Sequence, residues 1–126
     1  MSSIIHIPIS SQIGMPMIGF GTWQIPADKA ETLVSTAIKA GYNHIDCAQI
    51  YENEAEIGKC FSKLKDRKAI YVTSKLWCSD HEPSRVPLAV QTTLDNLQLD
   101  YLDMYLIHTP CRTKDSVPIW FSKEWV

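Results

Sequence analysis

Four side chains in the sequence have the types and the spacing that proton transfer to a carbonyl requires. Asp46, Lys75 and His108 each stand at the end of an apolar stretch, and Tyr51 follows Asp46 after a short loop. A lysine cation beside a phenol favours the phenolate, and a carboxylate keeps that lysine charged and in place. A histidine can orient the carbonyl oxygen by hydrogen bonding. These four residues, called the tetrad below, would make a proton donor for a carbonyl that is becoming an alkoxide.

Taken one at a time, these residues have ordinary structural explanations. Asp46 could cap a helix or a turn, and Lys75 could extend its amine to solvent. His108 could be a core histidine, and His44 is better explained by packing alone. Three ionisable groups at equivalent strand ends would require three coincidences, because a buried charge is costly unless it is paired or used. We therefore favour a functional site.

Apolar stretches alternate with segments of helical periodicity, which predicts parallel strands joined by right-handed helical crossovers. A hairpin is expected before them, because Ser10-Ser11 separates two short apolar stretches. The predicted strands are 4–8 and 12–17 in the hairpin, then 18–23, 44–47, 69–77 and 101–108 in the sheet. We expect the four sheet strands to lie side by side in the order in which they occur in the chain. This order brings the strand ends that carry the tetrad to one edge.

Three helices are predicted between the sheet strands. The first begins at Asp28, with Glu31 in a capping-box arrangement, and ends at Gly41. The second spans 52–64, and the third follows Ser84 as its N-cap, so that Pro87 falls at the third helical position. The residues expected on the buried faces are Ala30, Leu33, Val34, Ala37, Ile38, Ile57, Phe61, Leu64, Val86, Val90, Leu94 and Leu97.

The overall composition describes a single domain, 1–126, with no nucleic-acid or membrane signal. The chain is 45% hydrophobic and 21% charged, with scattered cations and a net charge of −2. No apolar run approaches the roughly 20 residues of a membrane span, and the N-terminus lacks a signal-peptide pattern. The four cysteines form no CxxC pair, and Cys78 and His81 lack a second ligand pair. We therefore predict no disulfide, no metal site and a cytoplasmic protein.

Four motifs carry a family resemblance: MPMIGFGTWQ (15–24), GYNHIDCAQIYENEAEIG (41–58), YVTSKLW (71–77) and LDNLQLDYLDMYLIH (94–108). Over about residues 4–110 the chain resembles the aldo-keto reductase family. The resemblance implies an α/β fold, the N-terminal half of a (β/α)8 TIM barrel, closed below by the hairpin and truncated after its fourth strand. It also implies NADPH-dependent reduction of aldehydes and ketones, or the reverse oxidation.

The resemblance assigns roles to the tetrad and adds cofactor and substrate contacts. Tyr51 resembles the proton donor, and Asp46 and Lys75 resemble the pair that tunes its acidity. His108 resembles the residue that orients a small-molecule carbonyl substrate. The expected contacts with NADP(H) are Gly21, Thr22 and Asp46. The expected walls of the substrate pocket are Trp23, Trp77 and His108.

The sequence departs from the family pattern after its fourth strand. Thr109 stands where the family usually carries tryptophan, which would widen or repolarise one pocket wall. The tail 111–126 does not resemble a fifth strand-and-helix unit, and four family strands with their cofactor contacts are missing. The Met1 start favours a chain shortened at its C-terminus. The open strand edges predict self-association, association with another protein, or marginal stability.

Two functions stay open on this basis. The first is an NADPH-dependent carbonyl reductase represented by its N-terminal half, which we expect to be inactive alone. The alternative is a catalytically inactive aldo-keto-reductase-like polypeptide that acts through binding or assembly.

Overall fold

The computed structural model describes residues 5–9 and 14–113, and the predicted tail 111–126 therefore lies mostly outside the described residues. An antiparallel hairpin precedes a four-stranded parallel sheet, with helices packed on the sheet. The hairpin strands are β1 (His6–Pro8) and β2 (Gly14–Pro16). The sheet strands are β3 (Phe20–Gly21), β4 (His44–Asp46), β5 (Tyr71–Leu76) and β6 (Met104–Ile107). The helices are α1 (Ala27–Lys39), α2 (Glu54–Phe61) and α3 (Val86–Leu97).

The sheet has the order β3-β4-β5-β6 with every pair parallel, which confirms the predicted α/β topology. Its strands are shorter than predicted, and β3 contributes only two residues. His44 links the sheet to the hairpin. Its Nε2 lies 2.9 Å from Thr73 Oγ1 and its Nδ1 lies 3.3 Å from the Pro16 carbonyl oxygen. These contacts confirm the packing role expected for this histidine.

The helix ends correct three details of the prediction. Asp28 does not cap α1, because the helix already begins after Pro26 and Asp28 lies in its first turn. Ser84 is not the cap of α3, which begins after Arg85 and has Pro87 at its second position. A proline is tolerated there, because the first N–H groups of a helix have no partner within it. The end of α1 is as predicted, since Gly41 takes a φ of 105° beyond the last turn.

Helix α2 starts two residues later than predicted, because the chain before it turns tightly. Residues 49–51 form a single 3₁₀ turn, and Glu52 adopts a left-handed φ of 56°. A residue in that conformation cannot continue into a right-handed helix. The helix therefore begins only after Asn53. The position of the Tyr51 side chain is therefore determined by this 3₁₀ turn and not by helix α2.

The core lies between the sheet and its helices. Leu33 was expected in it but is 40% exposed. Leu33 lies beside the exposed Thr32 on the solvent side of α1. Val34, about 100° further round the helix, is fully buried. The buried members of the core cluster are Ala30, Val34, Ile45, Cys47, Ile57, Cys60, Phe61, Ile70, Val72 and Leu97. Across the described ranges, no helix is long and apolar enough to cross a bilayer.

Helices α2 and α3 pack closely against each other at Gly58. A Cβ added to this glycine would lie 2.1 Å from the Asn96 carbonyl oxygen and 2.9 Å from the Leu97 carbonyl carbon. Both are backbone atoms, so no side chain can move aside to make room. The absence of a side chain at Gly58 is therefore what allows the two helices that cover β4 and β5 to pack together.

Candidate active site

Lys75 is the centre of the candidate site. Its ammonium group donates hydrogen bonds to both Asp46 carboxylate oxygens, each 2.9 Å away, and to the Cys47 carbonyl oxygen at 2.8 Å. The Tyr51 hydroxyl oxygen lies 3.3 Å from the same nitrogen. The Lys75 side chain is 12% exposed and that of Asp46 is 34% exposed. Three members of the tetrad therefore form one connected group at the surface of the sheet edge.

Strand register explains why Lys75 reaches Asp46. The two residues lie on neighbouring parallel strands, and Asp46 pairs with Thr73. Lys75 is two residues beyond Thr73, so both point to the same face of β5. The long lysine side chain then spans the two-residue offset back to the carboxylate. Because the strands are parallel and end at the same edge, this contact follows from the topology itself.

Tyr51 is held in place by the segment that follows it and by the His108 ring. The side-chain amide of Asn53, which is fully buried, donates to the carbonyl oxygens of Thr22 and Ile25, each at 3.0 Å. These bonds tie the loop after β4 to the loop after β3. The Tyr51 ring also meets the His108 ring edge to face, with 5.7 Å between centroids. Asn53 was missed in the sequence, where a polar residue just before a helix is indistinguishable from an ordinary cap.

His108 completes the tetrad from the fourth sheet strand. It follows β6 directly, and its backbone N–H donates to the Leu76 carbonyl oxygen at 3.1 Å. Its ring packs edge to face on Trp77, with 5.1 Å between centroids. Burial lowers the pKa of His108 below its ordinary value, the Lys75 cation lowers it further, and Asp46 partly offsets both. The neutral form of His108, which these effects favour, can donate one hydrogen bond without carrying charge.

The residues predicted to contact cofactor and substrate lie in two different environments. Gly21 pairs with Asp46, is exposed, and would meet no atom within 4 Å if it carried a Cβ. Thr22 is fully buried, and its hydroxyl donates to the Asp46 carbonyl oxygen at 2.9 Å. Trp23 is 64% exposed, whereas Trp77 is 4% exposed and lies against His108. The backbone at Gly21 is thus open to a ligand, while the Thr22 hydroxyl is used within the protein.

Glu54 is a second polar residue that sequence reasoning missed. It is 3% exposed, and its carboxylate accepts hydrogen bonds from Ser74 Oγ at 2.6 Å and Thr93 Oγ1 at 3.3 Å. The sequence shows it only as one of two acids in the first turn of a helix, where acids are common because of the helix dipole. Nothing local distinguishes it from its neighbour Glu56.

No group of three or more metal-ligating side chains comes together within residues 5–9 and 14–113. Cys78, which the sequence spaces like a ligand partner of His81, instead accepts a hydrogen bond from Thr113 Oγ1, 3.3 Å from its sulfur.

Comparisons with known proteins identify the family that this chain resembles. The profile of the Aldo/keto reductase family matches residues 12–124. Aldo-keto reductase family 4 member C11 of Arabidopsis thaliana is 47% identical over 105 residues, which cover 79% of this chain and 33% of that protein. Human aldo-keto reductase family 1 member C1 is 46% identical over 108 residues, with 79% and 33% covered.

A solved structure gives the same result for the fold. The aldo/keto reductase from Brucella melitensis superposes with a TM-score of 0.85 at 40% identity, over 92% of this chain and 45% of that one. The sheet described above is therefore a partial TIM barrel. The chain spans about a third of the length of the curated relatives it matches. With its fold, its motifs and these matches in agreement, the chain belongs to the aldo/keto reductase family.

Proposed function

We propose that this chain carries the proton-transfer half of a cytoplasmic NADP(H)-dependent carbonyl reductase, with Tyr51 as the proton donor. One observation carries the proposal. The Lys75 ammonium lies 3.3 Å from the Tyr51 hydroxyl oxygen while both Asp46 oxygens hold it in place. A cation fixed at hydrogen-bond distance stabilises the negative charge that develops on a phenol as its proton leaves.

The proposed reaction reduces an aldehyde or ketone to an alcohol. A hydride, which NADPH supplies when bound, is added to the carbonyl carbon and turns the carbonyl oxygen into an alkoxide. The Tyr51 proton moves to that oxygen, and the Lys75 ammonium stabilises the phenolate that remains. Neutral His108, edge to face with the Tyr51 ring, donates a hydrogen bond to the same oxygen and orients it. The Asp46 carboxylate holds the Lys75 ammonium in place through both of its oxygens.

The described residues fit part of a dinucleotide site. Gly21 leaves open backbone beside the Asp46 carboxylate, where a polar group such as a ribose hydroxyl can approach closely. Thr22 would support the site indirectly, since its hydroxyl and its backbone N–H both donate to the Asp46 carbonyl oxygen. The remaining cofactor contacts would come from later strands of a complete barrel. The chain by itself should therefore bind no measurable NADPH at micromolar concentration.

The substrate pocket would lie over His108. Trp77 provides a wall against the histidine ring, and the exposed Trp23 provides apolar surface at the end of β3. Thr109 is half-buried, and its hydroxyl lies 3.4 Å from the Cys111 carbonyl oxygen. A threonine at this position would widen or repolarise that wall, which favours carbonyl compounds with a polar substituent over purely apolar ones.

The test replaces Tyr51 in a complete barrel. The segment after residue 110 is supplied by a full-length relative, and NADPH consumption is followed with an aldehyde substrate. Tyr51→Phe should abolish turnover and leave cofactor affinity nearly unchanged, because the proton donor acts only in the transition state. A Tyr51→Phe protein with near-normal kcat would refute the proposal.

The second candidate function is binding or assembly without catalysis, and the exposed edge of the sheet favours it. On β6, Leu106 is 42% exposed and Ile107 is 68% exposed. The unpaired backbone N–H and C=O groups of an edge strand are a template for pairing with another chain, and exposed apolar side chains favour such pairing. This role would persist in a Tyr51→Phe variant, so the same substitution separates the two functions.

A further inference from the structure

Glu54 is a buried carboxylate that the proposed chemistry does not use. It is 3% exposed, and none of the ion pairs among the described residues includes it. Its oxygens are held by the hydroxyls of Ser74 and Thr93, and burial raises its pKa above the ordinary value. Burying a carboxyl group is costly unless hydrogen bonds compensate it, so this position requires an explanation.

The position of Glu54 in the chain connects it to the tetrad. Glu54 lies three residues after Tyr51, and its partner Ser74 directly precedes Lys75. Consecutive residues of a strand point to opposite faces. Strand β5 is therefore held on both faces by the same short segment, through the Tyr51 contact with Lys75 on one face and through the Glu54–Ser74 bond on the other.

We propose that Glu54 is a positioning residue that sets the distance between Tyr51 and Lys75. The segment from Tyr51 to Glu54 has little freedom, because Glu52 is fixed at a left-handed φ and Asn53 is bonded to the loop after β3. A carboxylate bonded to Ser74 in β5 and Thr93 in α3 locks that segment against the strand. The inference rests on the proposed function, since the distance matters only where Tyr51 donates a proton.

A simpler role for Glu54 is to stabilise α2 through the helix dipole. In that case, replacing Glu54 should have the same effect as replacing another acid of the first turn. Glu56 lies in the same first turn, has a side chain 30% exposed and pairs only with Lys59 among the described residues. Either acid could serve the dipole, but only Glu54 contacts β5. The substitutions Glu54→Leu and Glu56→Leu therefore form a matched pair, because each removes one first-turn acid and leaves a side chain of similar size.

The readout is the acetylation rate of the Lys75 amine in the completed barrel without cofactor, measured by peptide mass spectrometry. Lys63, whose side chain is 72% exposed, is the reference for reagent activity. Alkylation of Cys60, which is 6% exposed, reports unfolding in the same sample. The assay needs neither cofactor nor substrate, so its result is independent of whether the proposed reaction occurs.

Glu54→Leu should raise Lys75 acetylation severalfold relative to Lys63, without raising Cys60 alkylation. Glu56→Leu should leave it unchanged, and Glu54→Gln should keep it near wild type, because the amide retains an oxygen for Ser74. If Glu54→Leu unfolds the chain, the smaller change Ser74→Ala decides, and it should raise Lys75 labelling in folded protein. Unchanged Lys75 labelling in the folded variants, or equal labelling in Glu54→Gln and Glu54→Leu, would overturn the proposal.

Discussion

The middle of the sheet and its last strand differ in how their side chains are covered. At the ends of β4 and β5, polar side chains are paired with each other, and Lys75 alone makes four contacts within 3.3 Å. On β6, Leu106 and Ile107 face outward without cover among the described residues. The middle is closed because both of its neighbours lie within this chain, whereas β6 has a described neighbour on one side only. The contacts among Asp46, Lys75 and Tyr51 thus form within this half of the barrel, without the strands that would complete it.

Loss of the lysine cation should have the largest effect on the middle of the sheet. In the completed barrel, Lys75→Met should lower kcat by about two to four orders of magnitude, the range of general acid–base catalysis. The reason is that Lys75 supplies the cation at hydrogen-bond distance from the Tyr51 hydroxyl, where it stabilises the phenolate. Lys63→Met is the control, because that cation pairs with Glu31 at the surface and should leave turnover unchanged. Steady-state kinetics measure both, and equal rates in the two variants would contradict the site.

The helix layer over the middle should be almost as sensitive. Gly58→Ala should lower the free energy of unfolding by roughly 1–3 kcal/mol, because its Cβ would meet the Asn96 carbonyl oxygen. The gain in helix propensity from glycine to alanine, about 1 kcal/mol, does not offset a backbone clash. Gly21→Ala is the matched control, since its Cβ meets nothing within 4 Å. Denaturant unfolding of the completed barrel compares the two variants, and an unaffected Gly58→Ala variant would show that α2 and α3 are not in close contact.

The open strand should determine assembly. We expect the isolated chain to self-associate or to be poorly folded, and Ile107→Lys should shift it toward monomer because a charge on an edge strand opposes pairing. Leu33→Lys, at an exposed position on α1, should not have this effect. Sedimentation velocity gives the answer for each. A wild-type chain that sediments as a stable, cooperatively unfolding monomer would remove the contrast between middle and edge.

Titration of His108 should have the smallest effect. Its pKa is lowered in the folded chain, so below the ordinary value near ~6.5 the unfolded chain binds more protons. The stability that neutral His108 provides is present above that pH and is lost as the pH falls toward its folded pKa. The pKa of Glu54 is raised, so its titration has the opposite effect: the folded chain becomes more stable as the pH falls toward the ordinary value of 4.5. In the completed barrel, the free energy of unfolding should fall less steeply with decreasing pH just below ~6.5 for His108→Gln than for the wild type. Identical slopes in the two proteins would argue against a buried imidazole.

Much of the fold could be predicted, because the signals for it are local. Short apolar stretches between helical segments located β4, β5 and β6. The parallel topology then placed Asp46 and Lys75 at one edge of the sheet. Element ends were less predictable, as Asp28 and Ser84 illustrate. Both are good cap residues in sequence, yet α1 begins one residue before Asp28 and α3 begins after Arg85. Several nearby residues can start a helix at similar free energy, and packing selects among them.

By itself, the sequence determined which chemical groups are available and which strand carries each of them. Residue type and strand periodicity are properties of short segments, so Tyr51, Lys75 and His108 could be identified without coordinates. Only the tertiary structure decided which polar groups are buried. Glu54 and Glu56 look alike in sequence, but α3 and β5 cover the first and leave the second partly in water. The same holds for Trp23 and Trp77, because burial depends on contacts from segments distant in the chain.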